Sequence, residues 1–195
     1  MLHDCVAEII PIEPDAGNAA AGIASTIVMV CEAVSIPYRL FKYANRGTSA
    51  NDNSMRYLCV LTIAGSDSCG GAGVQADIKT MSALGVYAAS AITSVTVQNT
   101  LGVKAIQAIE PAIVAGQIKA VMDDVKPVAI KIGMVNDCGT IHAIADSLSS
   151  YSPSTLVVDP VMVSTSGSML MQRDALEVYC SELLPMATLL TPNIP

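Results

Sequence analysis

Apolar runs and amphipathic patterns alternate along the chain from Met55 onward. Apolar, β-prone runs predict strands over residues 57–64, 129–134, 155–159 and 188–191, and the stretch 87–97 is also β-rich. Apolar positions at helical spacing predict helices over residues 72–84 and 111–125, one capped by Asn136 or Asp137, and one between Asp174 and Pro185. Short buried strands alternating with helices are typical of an α/β fold with a parallel sheet covered on both faces.

The first predicted strand runs straight into a glycine-rich loop. Glycines at positions 65, 70, 71 and 73 separate it from the first helix. This order predicts bare backbone N–H groups and a positive helix end at the carboxyl edge of the sheet, which suits a ligand with polar or anionic groups. The loop matches neither the Walker pattern nor GxGxxG, so the pattern alone predicts only a polar ligand pocket.

Several candidate site residues follow predicted strands. Ligands of open α/β sheets bind beyond the carboxyl ends of the strands. The alternative is that polar residues follow strands simply because loops are polar. Lys131 stands in an apolar run and is predicted to be an edge or rim residue without a role. The residues at predicted strand ends are Gly65, Gln98, Met134, Asp159 and Asn193.

Composition narrows the classes of function. The 195 residues carry a net charge of -7, which argues against a nucleic-acid or anionic-membrane surface. The six cysteines are scattered and there are only two histidines, which argues against a zinc site. The apolar stretch 19–34 is too short and too polar for a membrane span, and no basic region precedes it as in a signal peptide. A cytoplasmic location is therefore expected.

The chain divides by composition into two parts. Residues 1–54 are predicted to be an N-terminal extension of unknown role that ends in a polar linker over residues 45–54. Residues 55–195 carry the alternating strands and helices.

Five motifs, in order, carry a resemblance to a known family. The sequence AGSD at 64–67 and GGAGVQADIKT at 70–80 is similar to the opening of hydroxymethylpyrimidine (phosphate) kinases, thiamin-biosynthesis enzymes of the ribokinase-like superfamily. The other four motifs are VQNT at 97–100, KIGM at 131–134, VDPVM at 158–162 and LTPN at 190–193. The resemblance covers residues 55–195.

The resemblance implies a three-layer α/β/α, ribokinase-like fold with a mainly parallel sheet. Residues 55–195 would be the N-terminal two-thirds of the kinase domain, so the fold is expected to be incomplete at its C-terminal end. The catalytic Gly-Thr-Gly-Cys segment of the family is expected beyond Pro195. No catalytic residue is therefore assigned within the chain.

The resemblance also implies site residues, each with a plainer structural alternative. Gln98 would bind the ring nitrogen and amine of an aminopyrimidine, or else cap a loop. Asp77 would contact the same ligand, or else only stabilise its helix through the dipole. Asp159 and Asn193 would serve the nucleotide and its metal. The remaining substrate-binding residues are Gly65, as a close backbone approach or a turn glycine, and Met134 and Val161, as apolar walls or core packing.

The implied reaction is ATP-dependent phosphorylation of 4-amino-5-hydroxymethyl-2-methylpyrimidine and then of its monophosphate. ATP is the co-substrate and Mg²⁺ the metal, no nucleic acid or membrane is involved, and a homodimer is left open. A pyridoxal kinase is one alternative, and comparing turnover of the two substrates discriminates it. The other is an inactive fragment that only binds a ligand or partner, which the reading frame beyond codon 195 would reveal.

Overall fold

The computed structural model of the protein describes residues 58–162 and 169–192. The predictions for residues 1–54, for the start of the first strand and for Asn193 lie outside these ranges. The strands are β1 (Cys59–Ala64), β2 (Tyr87–Ile92), β3 (Ser94–Asn99), β4 (Gly102–Ala108), β5 (Ala129–Ile132), β6 (Leu156–Val158) and β7 (Leu189–Leu190). The helices are α1 (Gly73–Ala83), α2 (Pro111–Asp124), α3 (Cys138–Tyr151) and α4 (Ala175–Val178).

Five strands form a parallel sheet in the order β2-β1-β5-β6-β7. Strands β1, β5 and β6 are buried along their whole length, as their almost unbroken apolar sequences require of central strands covered on both faces. The predicted α/β architecture with a mainly parallel sheet is confirmed. The carboxyl ends of these three neighbouring strands meet at one edge, which is where a ligand site is expected.

The two faces of the sheet carry separate apolar clusters. Leu61 and Ile63 of β1 point to the face covered by α2, α3 and α4, whose buried side chains form the larger cluster. Val60 of β1 points to the other face, where Met81 of α1 anchors a smaller cluster. This alternation follows from the two-residue period of a strand. The sheet therefore lies between two helical layers in the described part of the chain.

The stretch 87–97, predicted only to be β-rich, contributes to two strands, β2 and β3. After β2 the chain leaves the sheet at Thr93, and β3 then pairs antiparallel with β4, which the sequence pattern did not predict. The result is a separate two-stranded ribbon. The register shifts between Val97 and Gln98, where one strand bulges. The ribbon stands at the carboxyl edge of the sheet, since Ser66 after β1 donates its N–H to the Ser94 carbonyl.

Helix ends follow the predictions with two exceptions, both in the last helical segment. The Asp137 carboxylate accepts a hydrogen bond from the Thr140 N–H and caps α3, as the pattern indicated. Asp174 stands at the cap position of α4, but its side chain accepts no hydrogen bond from the helix. The helical path also does not end before Pro185. It continues through a π-helical turn, Tyr179–Leu183, and a 3-10 turn, Leu184–Met186, because proline is tolerated in the first turn of a new helical segment.

No helix in the described ranges has the length and apolar character needed to cross a bilayer.

Candidate active site

The glycine-rich loop between β1 and α1 is filled by one of its own side chains. The Asp67 carboxylate accepts hydrogen bonds from the backbone N–H groups of Cys69, Gly71 and Ala72 at 2.8 to 2.9 Å. Burial acts to raise the pKa of Asp67, but hydrogen bonds from the Cys69 side chain and from these backbone groups outweigh it and hold that pKa below its usual value. Asp67 is therefore an ionised part of the loop.

This arrangement corrects the prediction of bare N–H groups at the loop. Three of those donors already have an anionic partner in Asp67, and the Val74 N–H of α1 donates to the Gly65 carbonyl. An anionic ligand would have to compete with an internal carboxylate. The loop is therefore closed on its own carboxylate and forms one wall of the site, with no free cradle for a phosphate.

The loop is tight enough to require glycine at two places. Gly73 has φ +58°, and a β-carbon there would collide with the Gly65 carbonyl oxygen. At Gly65 itself a β-carbon would collide with Cε of Met134 and lie 2.7 Å from Oγ of Ser94. Two of the predicted site residues, Gly65 and Met134, are therefore packed against each other, and Ser94 joins them.

A buried cluster of charged side chains lies beneath the carboxyl edge on the α1 face. Lys131 Nζ is 3.2 Å from Asp77 Oδ2 and 3.7 Å from Asp159 Oδ2. Thr62 donates its hydroxyl to the same Asp77 oxygen. A β-carbon at Gly133 would lie 2.8 Å from Lys131 Nζ, so this glycine leaves room for the ammonium group.

Strand register explains why these side chains meet. Thr62 of β1 and Lys131 of β5 are directly paired, and Lys131 is paired with Val157 of β6. Asp159 stands two residues after Val157 and so shares its face. Asp77 reaches the same place from α1, which packs on that face.

Lys131 is not the edge or rim residue that the sequence suggested. It lies in the middle strand of the sheet and is 3% exposed. Asp77, which is fully buried, uses its carboxylate for Thr62 and Lys131. Burial and the neighbouring Asp77 charge raise the pKa of the Asp159 carboxyl, against the lowering effect of Lys131. Asp159 is the member of the cluster nearest to solvent, with 12% of its side chain exposed.

Gln98 reaches the site from the ribbon and not from the end of a sheet strand. It follows the bulge, which re-aims the side chain. Its N–H donates to Oγ of Ser68, and its Oε1 lies 3.4 Å from the hydroxyl of Thr96. Thr96 in turn donates to the Ser66 carbonyl. These contacts hold the half-buried amide beside the loop that follows β1.

The remaining predicted residues lie around the same edge. Met134 is held through its backbone carbonyl, which accepts the hydroxyl hydrogen of Thr93 at 2.8 Å. Val161 is half-buried, and its N–H donates to the Asp159 carbonyl at 2.8 Å. The structure thus brings Gly65, Met134 and Gln98 around one loop, with Asp159 and Asp77 in the adjoining charged cluster.

Sequence reasoning missed three residues that shape this site. A lysine inside an apolar run, followed later by a strand-end aspartate, was a usable signal for the Lys131–Asp159 pair. Asp67 just before a glycine cluster was typical of a side chain that hydrogen-bonds its own loop. Ser94 carried no signal, because only the fold places it against Gly65.

The fold and the position of the site define a class. A mainly parallel sheet between helical layers is the fold of the ribokinase-like kinases among solved structures. Phosphomethylpyrimidine kinase from Clostridium difficile superposes with a TM-score of 0.65 at 49% identity, over 68% of this chain and 58% of that one. Pyridoxal kinase from Bacillus subtilis superposes with a TM-score of 0.61 at 31% identity, over 70% of this chain and 50% of that one.

Sequence comparison gives the family. The family model described as phosphomethylpyrimidine kinase matches residues 67–195. A hydroxymethylpyrimidine/phosphomethylpyrimidine kinase from Rhizobium meliloti is 54% identical over 134 residues, which are 69% of this chain and 50% of the relative. The chain belongs to the phosphomethylpyrimidine kinase family. It spans about half the length of the single-function relatives that it matches.

Proposed function

We propose that the protein is a kinase that transfers the γ-phosphoryl group of ATP to 4-amino-5-hydroxymethyl-2-methylpyrimidine and then to its monophosphate. The observation that carries the proposal is the placement of Gln98 in a chain of this family. A half-buried side-chain amide stands beside the loop where Gly65 and Met134 pack together. One amide offers a donor and an acceptor side by side, which matches a ring nitrogen and the neighbouring amine of an aminopyrimidine.

In this proposal the described residues hold the acceptor substrate. Gln98 reads the amine edge of the ring, and Met134 and Val161 cover its faces. Gly65 lets the ring approach the backbone. Asp77 lies beneath the site and acts on it indirectly, through its ion pair with Lys131. Phosphoryl transfer depends mostly on positioning and on neutralising charge, so residues that orient the hydroxymethyl group contribute directly to the rate.

Mg²⁺ bound to the nucleotide fits the chemistry of the site. Mg²⁺ keeps several waters and is held in proteins by one or two carboxylates together with substrate phosphates. Asp159 offers such a carboxylate at the carboxyl end of β6, close to solvent. Asn193 is proposed as a second oxygen ligand. The metal would supply positive charge to the phosphate groups, and a cytoplasmic location is part of the same proposal.

The test is ligand binding by Gln98→Ala, measured by titration calorimetry. A buried partner left without its hydrogen bond costs about 1–3 kcal/mol, so affinity for hydroxymethylpyrimidine should fall roughly tenfold or more. Affinity for MgATP should change much less. Gln107→Ala is the matched control, since Gln107 is an exposed glutamine on the other strand of the same ribbon. Equal loss for both ligands would show that Gln98 supports the fold instead.

Pyridoxal phosphorylation is the second candidate, favoured by the 31% identity and common fold with the Bacillus subtilis pyridoxal kinase. Titrating pyridoxal and hydroxymethylpyrimidine into the same preparation decides between them. Tighter binding of pyridoxal, together with its faster phosphorylation, would replace the first proposal.

A further inference from the structure

Ser94 begins β3 with a hydroxyl group that has no hydrogen-bond partner among the described residues. The residue is fully buried, so its hydroxyl is out of contact with bulk solvent. The hydroxyls on either side differ from it. Thr93 donates to the Met134 carbonyl and Thr96 donates to the Ser66 carbonyl, each at 2.8 Å. A buried hydroxyl without a partner destabilises a fold, so its presence here needs an explanation.

The hydroxyl points into the candidate site. It would lie 2.7 Å from a β-carbon at Gly65, in the space where Met134 also packs. The backbone there is fixed, because the Ser94 carbonyl accepts the Ser66 N–H at 2.8 Å. The Met134 side chain is the adaptable part of this contact, since methionine has an unbranched chain with several rotatable bonds. Moving that side chain would open the Ser94 hydroxyl to a ligand seated over Gly65.

We infer that Ser94 is a ring-binding residue of this site and donates its hydroxyl hydrogen to a ring nitrogen of the bound ligand. The inference rests on the proposed function. A pyrimidine has two ring nitrogens, of which Gln98 pairs with the one beside the amine. The second nitrogen is an acceptor that Ser94 can satisfy. Pyridoxal offers Ser94 an acceptor as well, because its single ring nitrogen coincides with this second nitrogen when the methyl and hydroxymethyl groups of the two rings are superposed.

The experiment compares Ser94→Ala with the unsubstituted protein, using hydroxymethylpyrimidine and pyridoxal as probes in titration calorimetry. Affinity for the pyrimidine should fall about tenfold, as expected for one lost hydrogen bond in a buried site. Affinity for pyridoxal should fall as well, and MgATP binding, measured as a reference, should stay within about twofold. The midpoint of thermal unfolding should rise, because the variant no longer buries an unpaired hydroxyl. Ser147→Ala on α3, which removes a hydroxyl bonded to its own helix, should change none of these affinities.

The outcomes separate the two ideas. A tenfold loss of pyrimidine affinity with unchanged affinity for MgATP supports Ser94 as a ring-binding residue. Unchanged pyrimidine affinity, or an equal loss of affinity for MgATP, overturns the inference while leaving the proposed function intact. If the unsubstituted protein binds neither ring, the proposed function fails, and the inference fails with it.

Discussion

The two faces of the parallel sheet bury different kinds of side chain. The face under α2, α3 and α4 is lined by aliphatic side chains such as Ile130 and Ile132. The face under α1 is apolar only away from the carboxyl edge of the sheet. At that edge it buries Lys131 between Asp77 and Asp159. Consecutive residues of one strand, Ile130 and Lys131, therefore face entirely different surroundings.

The difference indicates that the charged cluster has a role other than stabilising the fold. Burying charges costs desolvation, and replacing a buried ion pair by apolar residues is often neutral or stabilising. An apolar core would thus hold this sheet at least as well. The charged cluster lies directly under the candidate site, so we interpret it as a device that positions Asp159 there. The following predictions test this contrast.

Lys131→Met should produce the largest effect. It leaves Asp77 and Asp159 buried without their cation, and breaking a buried pair in this way costs about 3–5 kcal/mol. Urea unfolding monitored by circular dichroism measures the change. Lys131→Arg, which retains the charge, should recover part of the loss, limited by the small space beside Gly133. A stable Lys131→Met protein would show that the ion pairs of Lys131 do not support the fold.

Asp67→Ala should come next. It leaves the N–H groups of Cys69, Gly71 and Ala72 without their acceptor, which costs about 1–3 kcal/mol. The pKa of Asp67 lies below its unfolded value of about 3.9. Its stabilising contribution is therefore complete above that pH and is lost as pH falls through the folded-state pKa. Unfolding curves from pH 7 to pH 2 should show this component in the unsubstituted protein.

Asp67→Asn serves as the control for that prediction. Asparagine keeps an acceptor oxygen but cannot ionise, so the acid-dependent component should vanish. An unchanged pH profile in Asp67→Asn would contradict an ionised Asp67 in the loop.

Ile130→Val should have a smaller effect on the apolar face. It removes one buried methylene group from the larger cluster and should cost about 0.5–1.5 kcal/mol. The same urea assay measures it. Because Ile130 precedes Lys131 in β5, this variant is the matched comparison for Lys131→Met. A loss as large as that of Lys131→Met would remove the contrast between the faces.

Lys119→Met should have the smallest effect. Lys119 and Asp123 form an exposed ion pair on α2, with side chains 70% and 50% exposed. Solvent and salt screen such a pair, and holding two long side chains in place costs entropy. The unfolding midpoint should therefore not move measurably. A clear destabilisation would show that surface charge matters here as much as the buried cluster.

Much of the sheet could be predicted from the sequence because its central strands are continuous apolar runs. The ribbon could not, because Val95 and Val97 alternate with buried polar residues in a pattern that also fits one long strand from residue 87. For the site, strand ends indicated Gly65, Met134 and Asp159. The internal use of Asp67, the depth of Lys131 and the meeting of Ser94 with Gly65 depend on tertiary contacts between distant segments, which no local pattern contains.

The self-filled glycine loop has a consequence for the entropy of recognition. A phosphate-binding loop that is flexible without its anion becomes ordered when the anion binds. The entropy cost of that ordering lowers the affinity. Here the Asp67 carboxylate supplies the anion from within the chain, so the turn into α1 is held by hydrogen bonds without any ligand. A ligand that binds against this loop loses its own conformational freedom. No further entropy is lost in ordering the loop. Association at this side of the site should therefore resemble docking onto a rigid surface.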